Sequence, residues 1–173
     1  MPAANGAAPH RHAREGRNVG RLIVQRACDD QQFREIHDIQ VEYEESLPAD
    51  LRHGLAVLTA LERLYREPNA AFLASLDGAT AGCVGVAILD RSADVLQRLY
   101  VKPAYRHRGV ARALIDAAIA FSRERGRARI VLDTERTRLR AAYELYLSLG
   151  FTECQAYGPV DYATPTFMEL RLR

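Results

Sequence analysis

Residues Val95 to Val101 have the composition of a β-strand, Pro103 stops them, and a helix opens near Gly109. Val110, Leu114, Ala117, Ala118 and Phe121 share one face of that helix, while Arg112, Asp116, Arg123 and Glu124 lie largely elsewhere. A strand delivered through a short turn into an amphipathic helix needs a sheet for its backbone and a core for its apolar stripe. A layered α/β domain supplies both.

The rest of the chain extends this pattern. Leu22 to Arg26 reads as a strand, and Asp29 or Asp30 is placed to cap a following helix. Apolar residues then recur at helical spacings to about Arg66, interrupted by Pro48, which predicts two helices with a bend. Ala71 to Leu76 and Ala81 to Leu89 flank the turn pair Asp77-Gly78, a hairpin signal. After the helix that Gly126 stops come a strand at Arg129 to Asp133 and a helix burying Ala142, Leu145, Tyr146 and Leu149, terminated by Gly150. Phe151 to Tyr157 and Thr166 to Leu172 predict two closing strands. The order β-α-α-β-β-β-α-β-α-β-β implies a mixed sheet with helices on both faces.

A length of 173 residues fits one domain, expected over residues 21–173, behind a tail at residues 1–20 that has little to bury and is expected to be disordered. No apolar run approaches the roughly 18 residues of a membrane span, so no membrane partner is expected. The net charge of +2, with acids and bases interspersed, gives little reason to expect a nucleic-acid partner. Nearly all the positive charge is arginine, Lys102 being the only lysine. Cys28, Cys83 and Cys154 lie far apart with no CxxC pair. They suggest neither a zinc site nor a disulfide framework, and a reducing cytoplasm fits them.

The turn Arg106-His107-Arg108-Gly109-Val110-Ala111 reads as a phosphate cradle. A helix N-terminus presents unpaired backbone N–H groups and a partial positive charge, and glycine lets phosphates approach the backbone closely. Arg106, Arg108 and Arg112 add cationic groups. Each exposed term contributes about 1 kcal/mol or less, so pyrophosphate binding needs several converging donors.

This segment resembles the acetyl-CoA signature of the GNAT superfamily of N-acetyltransferases: Arg or Gln, two variable residues, Gly, one variable residue, then Gly or Ala. Arg106, Gly109 and Ala111 fill those positions. Gln97-Arg98-Leu99-Tyr100-Val101-Lys102-Pro103 and Leu145-Tyr146-Leu147-Ser148-Leu149-Gly150-Phe151 also look like family landmarks, and the resemblance runs from about Leu22 to the C-terminus. It implies a mostly antiparallel sheet of about six or seven strands with a splayed central pair. It also implies acetyl-CoA as cosubstrate, held at Leu99, Tyr100, Val101, Arg106, His107, Arg108, Gly109, Val110, Ala111 and Arg112, with no metal. The implied reaction acetylates a primary amine of a small molecule or peptide by direct attack in a ternary complex. The alternative is a regulatory module that binds acetyl-CoA without turnover. A homodimer is the default expectation.

By the same resemblance Tyr146 occupies the position of the family's general acid. A phenol of pKa about 10 protonating a thiolate of pKa about 8.5 works uphill by roughly 2 kcal/mol. The amine must lose a proton at a cost of about 4 to 5 kcal/mol. Here the chain departs from its relatives: the usual glutamate position holds Val95, which leaves Asp94, Glu42 or a held water as the base. The asparagine many relatives carry at the start of the last helix is replaced by Arg138-Leu139-Arg140. Glu42, Glu44 and Glu45 suggest a cationic acceptor, received between the first two helices and the loop from Tyr157 to Pro165.

Overall fold

The computed structural model describes residues 20–172; nearly all of the expected disordered tail lies outside the described residues. The chain begins with β1 (Leu22–Arg26) and α1 (Asp30–Ser46). Asp29 accepts the N–H of Gln32 while the Gln32 side chain returns to the Asp29 backbone, a capping box that places the start of α1. Pro48 ends that helix, and the segment beyond it forms a 3-10 turn (Ala49–Leu51) and two short helices, α2 (Leu55–Leu58) and α3 (Leu61–Tyr65), in place of one second helix. The hairpin β2 (Ala70–Leu76) and β3 (Ala79–Ile88) turns at Asp77-Gly78, as the sequence predicts. Next come β4 (Ala93–Val101), the cradle turn, α4 (Val110–Glu124), β5 (Arg129–Thr134), α5 (Arg140–Ser148), β6 (Thr152–Glu153) and β7 (Thr166–Arg171).

The seven strands form one sheet in the order β1-β2-β3-β4-β5-β7-β6, antiparallel throughout except for the parallel pair β4 and β5. The strand expected over Phe151 to Tyr157 is confined to Thr152–Glu153. Beyond Cys154, whose N–H still bonds the Phe167 carbonyl, the chain leaves the sheet so that Tyr157 can reach β5.

Two cores sandwich the sheet. On one side Leu96, Val101, Ile130, Leu132 and Met168 pack with Val110, Leu114 and Ile115 of α4 and Tyr146 of α5. On the other, Leu73, Cys83 and Tyr100 pack with Phe33, Ile36 and Ile39 of α1 and with Leu61 and Tyr65 of α3. Gly85 makes the second packing possible, because a Cβ there would lie 2.4 Å from the Tyr65 ring.

The parting of β4 from β5 positions everything that follows. Their pairing runs from Ala93–Arg129 to Val95–Val131 and stops. β4 stays paired with β3 to Val101 while β5 stays with β7 to Thr134, so each strand follows its outer neighbour and the two diverge.

Candidate active site

A bulge in β4 prepares the open edge. Tyr100 pairs with Cys83 and Gln97 with Gly85, so Arg98 and Leu99 together face the one residue Val84 and have no register partner in β5. Arg98 takes φ +56°, a left-handed conformation that costs a side-chain-bearing residue about 1 kcal/mol or more. The extra residue inverts the alternation beyond it: Tyr100 turns to the α1 side and Val101 to the α4 side.

The helix α1 holds this bulge through two buried side chains, Gln40 and Glu44. Gln40 Nε2 donates to the Arg98 carbonyl at 2.9 Å and to Cys83 Sγ at 3.1 Å, while Gln40 Oε1 accepts from Arg98 Nη1 at 3.2 Å. The shielded Arg98 guanidinium also reaches Glu44 Oε1 at 3.2 Å. Glu44 accepts in addition from the backbone of His53 at 2.8 Å and of Gly54 at 3.3 Å, and lies 3.0 Å from His53 Nδ1. Burial opposes its charge, but the His53 hydrogen bonds and the neighbouring cations outweigh it and hold the carboxyl below its ordinary value.

The open edge leads directly into the cradle. The Lys102 N–H bonds the Ala81 carbonyl while Val101 is opposite Gly82, so the Val101 N–H and C=O point away from β3, toward the gap left by β5. Arg106 Nε donates to the Val101 carbonyl at 3.0 Å, and its guanidinium lies over the Tyr100 ring at 5.6 Å, clamping the turn to the strand end. His107 and Gly109 adopt φ +59° and +81°. Gly109 caps α4 with no side chain bonded to the helix N-terminus, and the first turn carries no acid. A Cβ at Gly109 would meet no protein atom within 4 Å, so the glycine faces open space beside the N–H groups of Val110, Ala111 and Arg112. Arg108 and Arg112 are exposed at the rim, loosely paired with Asp77 at 3.5 Å and Asp116 at 3.9 Å. Uncapped amides, a clear glycine and several arginines are the donor set a pyrophosphate needs.

The expected cofactor residues do not all face this space. Tyr100 is turned away: its backbone faces β3 and its hydroxyl donates to Glu42 Oε1 at 3.1 Å, because the bulge sets it on the α1 side. Val110 offers only its backbone, since its side chain is in the core.

Tyr146 lies on the buried face of α5, its ring 5.7 Å from that of Phe151. Burial raises its pKa, with smaller contributions from Tyr43 and Asp133, which keeps the phenol protonated at neutral pH. Tyr143, the adjacent alternative, instead bonds Glu153 at 2.8 Å.

Among the candidate bases, Asp94 is excluded by its surroundings. It is buried on the α4 side at the closed end of the strand pair, accepts from Ser122 Oγ at 2.9 Å and pairs with Arg127 at 2.9 Å. The contact with Arg127 is ionic rather than an aligned hydrogen bond. Val95 is buried at the last paired position. Glu42, Glu44 and Glu45 of α1 do not form one acidic surface, since the helical turn sends Glu44 inward to Arg98 and leaves Glu45 exposed. Arg138 reaches Asp50 at 2.7 Å and Glu135 at 3.0 Å and ties the turn after α1 to the loop before α5. Cys83 is a buried thiol whose pKa burial pushes up to about 12. Among the described residues no three metal-binding side chains gather at one point, and no helix is long and apolar enough to cross a membrane.

The sequence does not single out Gln40, Tyr43 or Asp133, whereas Tyr162 lies in the loop from Tyr157 to Pro165 expected beside the acceptor. Asp133 had a signal, as the one acid of the strand Arg129–Thr134. Gln40 had none, being one glutamine among polar helix residues.

A strand pair that parts beside an uncapped helix N-terminus is the architecture of an acyl-CoA-dependent transferase, and comparison with known proteins agrees. The chain belongs to the acetyltransferase (GNAT) family, whose model matches residues 31–151. It is an acetyltransferase that uses acetyl-CoA as cosubstrate. Over 130 residues it is 35% identical to a protein of Escherichia coli (strain K12) described as the uncharacterized N-acetyltransferase YjgM, covering 72% of this chain and 74% of that one. A putative acetyltransferase of Salmonella typhimurium, yncA, solved with acetyl-CoA, matches with a TM-score of 0.71 at 21% identity over 88% of this chain and 94% of its own. The ribosomal-protein-S18-alanine N-acetyltransferase of Escherichia coli matches with a TM-score of 0.68 at 20% identity over the same shares. At these identities the two structures attest the fold alone.

Proposed function

We propose that the protein transfers the acetyl group of acetyl-CoA to a primary amine of a small molecule or peptide, by direct attack with both substrates bound. The observation that carries this reading is the parting of β4 from β5 after Val95 and Val131, with the α4 N-terminus at the end of the open edge. Bound acetyl-CoA supplies an acetyl group already activated as a thioester. Its phosphates fit the amides of Gly109 to Arg112 with Arg106, His107 and Arg108, and its pantetheine arm fits the open backbone at Leu99 and Val101, an added strand in small-molecule form.

The remaining work falls to the chain's own side chains. The N–H groups around the bulge are fixed before substrate arrives, because Gln40 and Arg98 lock the strand, and preorganised donors are what stabilise developing negative charge on oxygen. Tyr146 holds a proton at its hydroxyl and gives it to the departing sulfur. Burial keeps that proton in place and makes its release harder than for a free phenol, so delivery waits for the negative charge that builds on sulfur. With Val95 and Asp94 both unsuited, the amine's proton leaves to a held water or to the carboxylate of Glu42, which accepts from the Tyr100 hydroxyl.

Isothermal titration with acetyl-CoA tests the cradle, comparing wild type with Gly109→Leu. The new side chain meets no protein atom at its Cβ and costs the backbone about 1–2 kcal/mol, so the fold persists while the phosphate approach is blocked. Wild-type binding in the micromolar range and at least tenfold weaker binding by the variant are expected. Equal affinities would remove the cradle from the cofactor site. A thiol-release assay over a panel of amines tests the reaction, and binding without release from any amine would mark a module that holds acetyl-CoA without turnover.

A further inference from the structure

Asp133 lies on β5 two residues beyond Val131, the last residue paired with β4, and strand alternation puts it on the same face as Val131. Ile130 and Leu132 fill the α4-side core, so Asp133 faces the α1 side, across the opening from Gln97 and Arg98. On β4 the last paired position is the apolar Val95, so the acid at the mouth is on the opposite strand.

Two phenol donors on one carboxylate set it apart. Glu44, Asp94, Glu135 and Glu169 each pair with an arginine, Arg98, Arg127, Arg138 and Arg129, while Glu35 and Glu42 of α1 each accept from one sheet hydroxyl, Thr80 and Tyr100. Among the described residues Asp133 pairs with no arginine. It is met by two phenols from the segment between β6 and β7, Tyr157 donating to Oδ1 at 2.5 Å and Tyr162 to Oδ2 at 2.9 Å. Tyr157 is itself braced edge-on by Phe167 at 5.1 Å. A carboxylate offers about four acceptor sites, so two donors leave room for more. All three side chains are half-buried and reach the surface. The charge of Asp133 is felt by Tyr43 of α1 and by Tyr146, whose pKa values it raises in addition to the larger effect of burial. A half-shielded negative charge held by two phenol hydroxyls, with no arginine or lysine paired to it among the described residues, is the complement of an alkylammonium group.

We propose that Asp133, held by Tyr157 and Tyr162, binds the ammonium form of the acceptor at the mouth of the parted strands, so that the enzyme takes cationic alkyl amines. This rests on the acetyltransferase reading above and supplies the acidic element of the acceptor site. The glutamates of α1 cannot form it together, with Glu44 committed to Arg98 and His53.

The test reads binding rather than turnover. The protein is saturated with CoA and titrated calorimetrically with 1-aminopentane, 1,5-diaminopentane and, as the uncharged control, 1-pentanol. Wild type, Asp133→Asn and the double variant Tyr157→Phe, Tyr162→Phe are compared. A hydrogen bond to a charged group predicts a loss of about ten- to a hundredfold for both amines in Asp133→Asn, a smaller loss in the double variant, and unchanged affinity for CoA. Wild type should bind the amines more tightly than the alcohol, a comparison that needs no variant to fold. Equal affinity of wild type and Asp133→Asn for the amines, or no preference of wild type for amine over alcohol, overturns the proposal. Ammonium binding that depends on Asp133 in a protein that releases no thiol with any amine would instead refute the transferase reading and leave the site standing.

Discussion

Replacing Gln40 with leucine removes the side chain that, among the described residues, alone bonds the backbone of the β4 bulge. Gln40 is 1% exposed and close in volume to leucine, so the substitution deletes hydrogen bonds without opening a large cavity. The Arg98 carbonyl loses its Nε2 donor and the Arg98 guanidinium keeps only Glu44 of its two acceptors. An orphaned buried acceptor costs about 1–3 kcal/mol, partly offset because a buried amide no longer needs satisfying, for a net loss of about 2 kcal/mol. At about 2–4 °C per kcal/mol for a chain of this size, the melting temperature should fall by about 4–8 °C. Turnover should fall further than stability does. Arg98 holds φ +56° only while its neighbours enforce it, and relaxation of the bulge moves the Leu99 and Val101 backbone that lines the open edge. Thermal unfolding followed by circular dichroism and the thiol-release assay, run well below the melting temperature of the variant, measure the two effects. A variant that melts within about a degree of wild type and keeps its turnover would refute the view that α1 holds the catalytic strand in shape.

Tyr146→Phe retains the buried ring and removes the proton donor, so kcat should fall by about a hundredfold or more while acetyl-CoA affinity stays nearly unchanged; unaltered turnover would take Tyr146 out of the mechanism. The Glu44 carboxyl is held below its ordinary value of 4.5 in the folded protein, so its stabilisation is fully present above about pH 4.5 and is lost as pH falls through the lower folded value. Denaturant titrations at a series of pH values should therefore show the gap between wild type and Glu44→Gln widest at neutral pH and shrinking below 4.5. A gap of constant size down to pH 3 would mean that Glu44 does not couple folding to protonation.

Much of this architecture is legible locally. Asp29 with Gln32, Asp77 with Gly78, Gly109 before Val110, and Gly126 and Gly150 after their helices are short-range signals, each set by backbone geometry that a few residues determine. The expected strand at Phe151 to Tyr157 fails for the opposite reason. Its composition allows a strand, but β7 pairs only Thr152 and Glu153, and the remainder is drawn over the sheet end by the bonds of Tyr157 and Tyr162 to Asp133. The acidic face expected from Glu42, Glu44 and Glu45 fails because a charge run does not reveal which of its members a distant arginine will claim.

From residue order alone come most of the element sequence, the turn from Arg106 to Ala111 before α4 and the buried face that includes Tyr146, because turns, caps and periodic apolar faces depend on neighbours a few positions away, while the part given to Tyr146 comes from resemblance to the family. The strand order, the point where β4 and β5 part, the bulge locked by Gln40, the withdrawal of Asp94 and Glu44 into arginine pairs, and the meeting of Asp133 with Tyr157 and Tyr162 arise only in the folded chain. Each joins residues from separate elements, and which buried charge finds which partner is decided by packing, not by spacing along the sequence.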